Sequence, residues 1–333
     1  MPGSRAVTLV TGGAGFIGSH LVERLVALGH RVRVVDSLVT GRVENLAPVL
    51  NEIDFLHGDL RDEGVCNRAV RDAELVFHLA ALPSVPRSLK DPWTSHDCNV
   101  NGTVRLLIAA AAARVRRVVY SGSSSAYGDS PALPRVENAE PLPRSPYAAA
   151  KLAGELYVLA SARAGSVEGV ALRYFNVFGP RQDPDSPYAA VIPAFFAAVH
   201  DGRSAVLFGD GTQTRDFTYV ANVVEANILA AAAPTELASG TTVNVGAGQR
   251  TSLLKLVELI REVTGRRFSY TCQMSRAGDV RDSLAGLERA QRVLGYHPQV
   301  TVKEGLQRTW EWFAATQRRA PTARLRASAV APA

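Results

Sequence analysis

Short apolar runs that alternate with amphipathic stretches, a glycine triplet between the first run and the first helix, and a Tyr-x-x-x-Lys pair after the fifth run predict an α/β fold. Parallel strands joined by helical crossovers give a Rossmann-type, doubly wound parallel sheet, here with a smaller C-terminal substrate-binding lobe. Residues 6–11 read as a buried strand and 15–28 as an amphipathic helix closed by Gly29. Further strands are expected at 31–36, 54–57, 75–79, 117–121 and 170–174, and the longest helix at 94–113. Beyond Asn176 the alternation fades, and Pro180, Pro184, Pro187 and Pro193 interrupt the chain. Residues 243–245 read as a return to the sheet, and 253–264 and 306–316 as helices. The expected cofactor lobe is 1–175 with about 215–245. The expected substrate lobe is about 176–214 with 246–316, and 317–333 form a disordered basic tail.

Composition narrows the function. A chain of 333 residues, 47% hydrophobic and 20% charged, is an ordinary globular protein. The formal charge of +6 is misleading, because Arg318, Arg319, Arg324 and Arg326 lie in the acid-free tail. The body is nearly neutral, so a nucleic-acid stripe is not expected. The three cysteines, Cys66, Cys98 and Cys272, are far apart and suggest neither disulfides nor a metal site. An apolar run starting at Ala6 predicts no cleavable leader, and no stretch has the length of a membrane span. A cytoplasmic location is therefore expected.

Gly12, Gly15 and Gly18 sit where a strand passes into a helix. Backbone without side chains there can approach a pyrophosphate at the helix N-terminus, with Phe16 and Ile17 alongside. Asp36 ends the second strand 18 residues after Gly18, placed to accept adenosine ribose hydroxyls. A carboxylate there repels a 2′-phosphate, which favours NAD over NADP, although Arg33 and Arg42 are near in sequence. Asp59 and Leu60 follow the third strand and Leu79, Ala80 and Ala81 the fourth, where loops border a cofactor.

Tyr147 and Lys151 are one helical turn apart and share a face. A phenol has a pKa of about 10, and lowering it to about 7 takes ~4 kcal/mol. Two cations, the Lys151 ammonium and an oxidised nicotinamide, are expected to supply this. Lys151 is one of four lysines among 37 basic residues, as suits a role for a compact point charge. The Ser-rich segment 121–125 follows a strand, and a hydroxyl there can share the substrate oxygen with Tyr147.

Together these motifs resemble the extended short-chain dehydrogenase/reductase family, in its nucleotide-sugar branch, over about residues 6–316. The resemblance rests also on Arg173-Tyr174-Phe175-Asn176-Val177-Phe178-Gly179-Pro180 and on Gly209-Asp210-Gly211-Thr212-Gln213-Thr214-Arg215-Asp216-Phe217. Ser84-Val85-Pro86-Arg87-Ser88, Gln182-Asp183-Pro184 and Tyr188-Ala189-Ala190-Val191-Ile192-Pro193 are similar to bacterial UDP-hexose and UDP-N-acetylhexosamine 4-epimerases. The resemblance implies Ser123, Tyr147 and Lys151 as catalytic residues and Tyr174 near NAD. It places Ser84, Ser124, Asn176, Ala190, Val191 and Arg215 on the sugar nucleotide. It gives Arg276 to a phosphate, Asp279 to the ribose, and Val206 and Phe208 to the uracil. Ser283 would line the sugar pocket with room for an N-acetyl group. Ser124 and Ser125 stand where sugar dehydratases carry an Asp-Glu pair. Ala150, Gly122 and Gly286 depart from the usual pattern.

The expected activity is thus C4 inversion of a UDP-sugar through a 4-keto intermediate: UDP-GlcNAc/UDP-GalNAc first, with UDP-glucose/UDP-galactose beside it. A UDP-glucuronate 4-epimerase, another NDP-sugar oxidoreductase and a non-catalytic NAD-sensing protein are the alternatives. The family's habit of pairing two helices across a two-fold axis implies a homodimer through 94–113 and 147–164. No nucleic acid or membrane partner is expected.

Overall fold

A computed structural model describes residues 6–130, 132–184, 190–274 and 280–318. Pro187, Tyr188, Ala189, Arg276, Asp279 and the tail from Arg319 lie outside them. The chain begins with β1 (Val7–Thr11), α1 (Phe16–Ala27), β2 (Arg31–Asp36), β3 (Asp54–His57), α2 (Glu63–Ala69) and β4 (Ala73–His78). Short helices α3 (Val85–Lys90) and α4 (Pro92–His96) lead through a π-helical turn at Asp97–Asn101 into α5 (Gly102–Ala112). Then come β5 (Arg117–Ser123), α6 (Pro146–Arg163), β6 (Glu168–Tyr174), β7 (Val177–Phe178), α7 (Val191–His200), β8 (Ala205–Phe208), β9 (Thr214–Arg215) and β10 (Thr218–Tyr219). The remainder is α8 (Val220–Ala232), α9 (Thr235–Ala238), β11 (Thr241–Val245), β12 (Thr251–Ser252), α10 (Leu253–Thr264), β13 (Tyr270–Gln273), α11 (Glu288–Leu294) and α12 (Val302–Arg318).

Seven strands form one parallel sheet in the order β11-β6-β5-β4-β1-β2-β3. Alternation along each strand divides the core. Val10, Val34, Phe77, Val119 and Leu172 face a cluster that includes Leu21 and Leu25 of α1 and Val223 and Ala226 of α8. Leu9, Val35, Val76, Val118 and Ala171 face Cys66 of α2, Leu106 and Ala110 of α5, and Val158 and Leu159 of α6. The first cluster runs on into Phe195 and Phe196 of α7, Leu256 and Ile260 of α10 and Phe313 of α12. The C-terminal elements therefore pack on the same core as one face of the sheet. No described helix is long and apolar enough to cross a membrane.

The sequence did not lead us to expect α7, β8, β13 and α11, and two further differences have a local cause. The 94–113 helix is the run from Pro92 to Ala112, opened by the π turn where the Asn99 side chain leaves the helix to pair with both backbone groups of Leu82 (2.8 and 3.1 Å). α8 was not expected, because Val220–Ala232 is apolar nearly all round and carries no amphipathic period.

Candidate active site

β1, β4, β5 and β6 end at a cleft of about 730 Å3. Its cofactor side is shaped by missing side chains. A Cβ on Gly12 (φ +69°) would lie 2.7 Å from the Ala80 backbone, and one on Gly18 would lie 2.2 Å from the Gly12 carbonyl oxygen. α1 starts at Gly15 with no capping side chain, which leaves its amide end to a ligand. Gly15, Phe16, Ile17 and Gly18 line this end. Thr11 Oγ1 accepts the Ala80 N–H at 3.1 Å and bonds His78 Nδ1 at 2.8 Å, which fixes the Leu79-Ala80-Ala81 floor.

Asp36 is 8% exposed. Its carboxylate accepts N–H groups from Ala14 (2.9 Å) and Leu38 (2.8 Å), yet burial still pushes its pKa up. The two arginines that made NADP conceivable are engaged elsewhere. Arg33 pairs with Asp54 and donates to the carbonyls of Arg68, Ala69 and Arg71, and Arg42 pairs with Asp183. Asp59 and Leu60 line the lip, with Asp59 held below the usual carboxylate range by Arg61. Tyr174 lines the cleft with its hydroxyl bonded to Asn227 at 3.0 Å. The side-chain-free cradle, the uncapped helix and the isolated carboxylate fit NAD.

The three residues expected to be catalytic come from two elements. β5 delivers Ser123, whose Oγ lies 2.8 Å from Ser125 Oγ. α6 begins at Ser145, which caps it by accepting the Ala148 N–H at 3.1 Å, and Pro146 sits in its first turn. Tyr147 and Lys151 then project from one face onto the cleft, with the Ser123 hydroxyl on the side of the Tyr147 phenol. Lys151 is 3% exposed, with Nζ 4.4 Å from the Tyr120 ring centroid. The Tyr120 hydroxyl donates to the Lys151 carbonyl at 3.1 Å and so ties α6 to β5.

Burial, which the sequence does not show, acts on both Tyr147 and Lys151. Burial raises the Tyr147 pKa, and the Ser123 hydrogen bond is what opposes it. Burial also pushes Lys151 down to about 7, while Glu155, one turn further along α6, pulls it up. Desolvation is thus the largest influence on each group. Glu155 is itself buried in a two-pronged ion pair with Arg173 (2.7 and 2.9 Å). His78, behind the site, is pushed down to about 3 by burial and by Lys151.

On the opposite side the cleft gathers Ser124, Asn176, Arg215 and Ser283. Arg215 Nη1 donates to the carbonyls of Thr214 (3.0 Å) and Arg281 (2.9 Å), which fixes its guanidinium. Several expected substrate residues are placed elsewhere. Ser84 caps α3 by accepting the Arg87 N–H at 3.2 Å, with only its neighbours Pro83 and Val85 on the cleft. Ala190 and Val191 start α7, and Val206 and Phe208 lie on β8; none of the four lines the cleft. Arg276 and Asp279 fall outside the described residues. Gly286, a departure from the family pattern, has a local reason: its N–H donates to the Arg135 carbonyl at 2.8 Å, and a Cβ would come within 3.0 Å of that oxygen.

Sequence reasoning missed Arg135 and Asp282, which also line the cleft. Asp282 accepts from Thr214 and Arg250, more than 30 residues away in each case. Arg135 donates to carbonyls of Ala132, Gly128 and Asp282. Neither carries a local motif that sequence alone would flag.

Residues 8–246 match the family model described as "NAD dependent epimerase/dehydratase family". The chain is 42% identical to the UDP-glucose 4-epimerase of Mycolicibacterium smegmatis, over 92% of this chain and 98% of that protein. It superposes with a TM-score of 0.88, at 38% identity, on a UDP-N-acetylglucosamine 4-epimerase from Methanobrevibacter ruminantium in complex with UDP-N-acetylmuramic acid, covering 93% of this chain and 99% of that one. A UDP-glucose 4-epimerase from Thermotoga maritima with UDP-glucose gives 0.87 at 38% identity, with the same coverage. The chain belongs to the NAD dependent epimerase/dehydratase family and is an NAD-dependent epimerase.

Proposed function

We propose that this protein inverts C4 of UDP-sugars and that its pocket accepts the acetamido sugar UDP-GlcNAc, with UDP-glucose as a second substrate. The observation that carries the reading is the convergence of Ser123, Tyr147 and Lys151 on the cleft that also holds Arg215 and Ser283. Ser124 and Ser125 stand beside them, and a serine hydroxyl is too weak an acid to drive loss of water, which argues against a dehydratase. Ser283 leaves space at the pocket wall that a larger side chain would fill.

The Gly12–Gly18 turn and Asp36 would hold NAD, which would supply reversible hydride acceptance. The rest falls to the chain. Tyr147 takes the proton from the C4 hydroxyl and Ser123 holds that oxygen through its own hydroxyl. Lys151, when protonated, would supply positive charge on the face it shares with the phenol and would hold the ribose of the cofactor. Arg215 anchors the diphosphate, so the sugar can turn about its linkage and present its other face. Tyr147 then returns the proton to an oxygen of inverted configuration. UDP-GlcNAc, UDP-glucose and UDP-glucuronate, each incubated with the purified protein without added cofactor, test the reading by the anomeric proton signals. C4-inverted product is expected from the first two; turnover of glucuronate alone would overturn the assignment.

The same reading includes a homodimer. Ile108 of α5 and Leu156 and Tyr157 of α6 are 65%, 54% and 49% exposed, with Trp93 of α4 at 72%. These helices pack side by side, and a second copy would cover their apolar faces.

A further inference from the structure

Asp216 directly follows the cleft residue Arg215 and is fully buried. It does not line the cleft. Its Oδ1 accepts the Ala247 N–H at 2.7 Å, and its Oδ2 accepts the N–H groups of Gly248 and Ala285, both at 3.0 Å. One carboxylate thus braces three chain segments: the strand bearing Arg215, the loop after β11, and the strip that carries Asp282 and Ser283. The approach is so close that a Cβ on Gly246 would lie 2.8 Å from Oδ2. The strip has a second fastening on its far side, where Arg135 N–H donates to the Leu284 carbonyl at 2.8 Å.

We propose that Asp216 is a positioning residue for substrate: its ionised carboxylate holds the 282–285 strip, and with it Ser283, at the working distance from Arg215. All three partners are N–H donors, so only a group accepting on both oxygens satisfies them. An asparagine brings an NH2 where an acceptor is needed and leaves at least one buried N–H unpaired. The charged and titratable neighbours do not replace it. Arg215 turns its guanidinium to the carbonyls of Thr214 and Arg281, and Asp282 is tied to Thr214 and Arg250. Tyr296 donates its hydroxyl to the Gly246 carbonyl at 2.9 Å. Thr218 adds a hydroxyl beside the carboxylate. Burial pushes Asp216 up to about 6, so mild acid removes one acceptor from the brace.

The consequence for substrate rests on the UDP-sugar reading; the brace itself does not, and the test separates the two. In Asp216→Asn, hydrogen exchange of the Ala247, Gly248 and Ala285 amides should accelerate at least about tenfold, while the amides of β5 and α6 keep their protection. KM for UDP-GlcNAc should rise by about tenfold or more with kcat within about twofold and NAD retained, because the loss is in binding and not in the chemical step. Wild-type protein carries the test if the variant does not fold: between about pH 7.5 and about pH 5.5 the same three amides should lose protection relative to β5, after correction for intrinsic exchange. Unchanged protection in both proteins would overturn the brace. An equal fall in kcat and kcat/KM would overturn the role in positioning substrate. Lost protection in a protein that turns over no UDP-sugar would uphold the brace and reject the substrate reading.

Discussion

Tyr147 carries the proton in this account, and its effect is separable from binding. Tyr147→Phe should lower kcat by about 100- to 10,000-fold, the usual worth of a positioned acid–base group, while bound NAD stays in place by absorbance. Lys151 gives a pH prediction. Its native pKa of about 7 lies below that of a free lysine, about 10.4. Between those values the unfolded chain holds a proton that the native site does not, so stability rises with pH across that window. The cofactor-free wild type should therefore gain melting temperature relative to Lys151→Met between about pH 7 and about pH 9; parallel curves would mean that the ammonium is not desolvated. The Tyr-Lys spacing is legible in sequence because it lies within one turn of a helix. The strength of desolvation was not, because it depends on how completely α6 and β5 bury both groups. Asp216 was equally hidden: its partners are 31, 32 and 69 residues away.

At the scale of elements, the site depends on α6 lying close to β5. Gly154 permits this, since a Cβ there would lie 2.4 Å from the Tyr120 hydroxyl and 3.3 Å from the Asn99 carbonyl. Gly154→Val should cost about 1–3 kcal/mol of stability, read by thermal melting. It should also reduce kcat, by moving Tyr147 away from Ser123. The geometry of strand ends explains what sequence could read. β1, β2 and β5 are short apolar strands bounded by clear turn chemistry, and the residues at their C-terminal ends fall on the cleft. The C-terminal half was less legible, because β7, β9, β10 and β12 are two-residue strands set by contacts with distant segments. Val206 and Phe208 illustrate the limit: their strand is apparent only through pairing with β13.

For the whole molecule, the exposed apolar faces of α5 and α6 predict association. Light scattering at micromolar concentration should give a dimer, and Leu156→Glu together with Ile108→Glu should give a monomer that keeps its sheet by circular dichroism. A wild-type monomer would count against the paired helices. The proposed reaction is a closed redox cycle in which the hydrogen on C4 leaves and returns within one protein. Isotope tracing tests that claim most directly. UDP-GlcNAc carrying deuterium at C4, incubated with the purified protein in ordinary water and no added cofactor, should give a C4-inverted product that retains the deuterium. Inverted product whose C4 hydrogen has come from solvent would contradict the account.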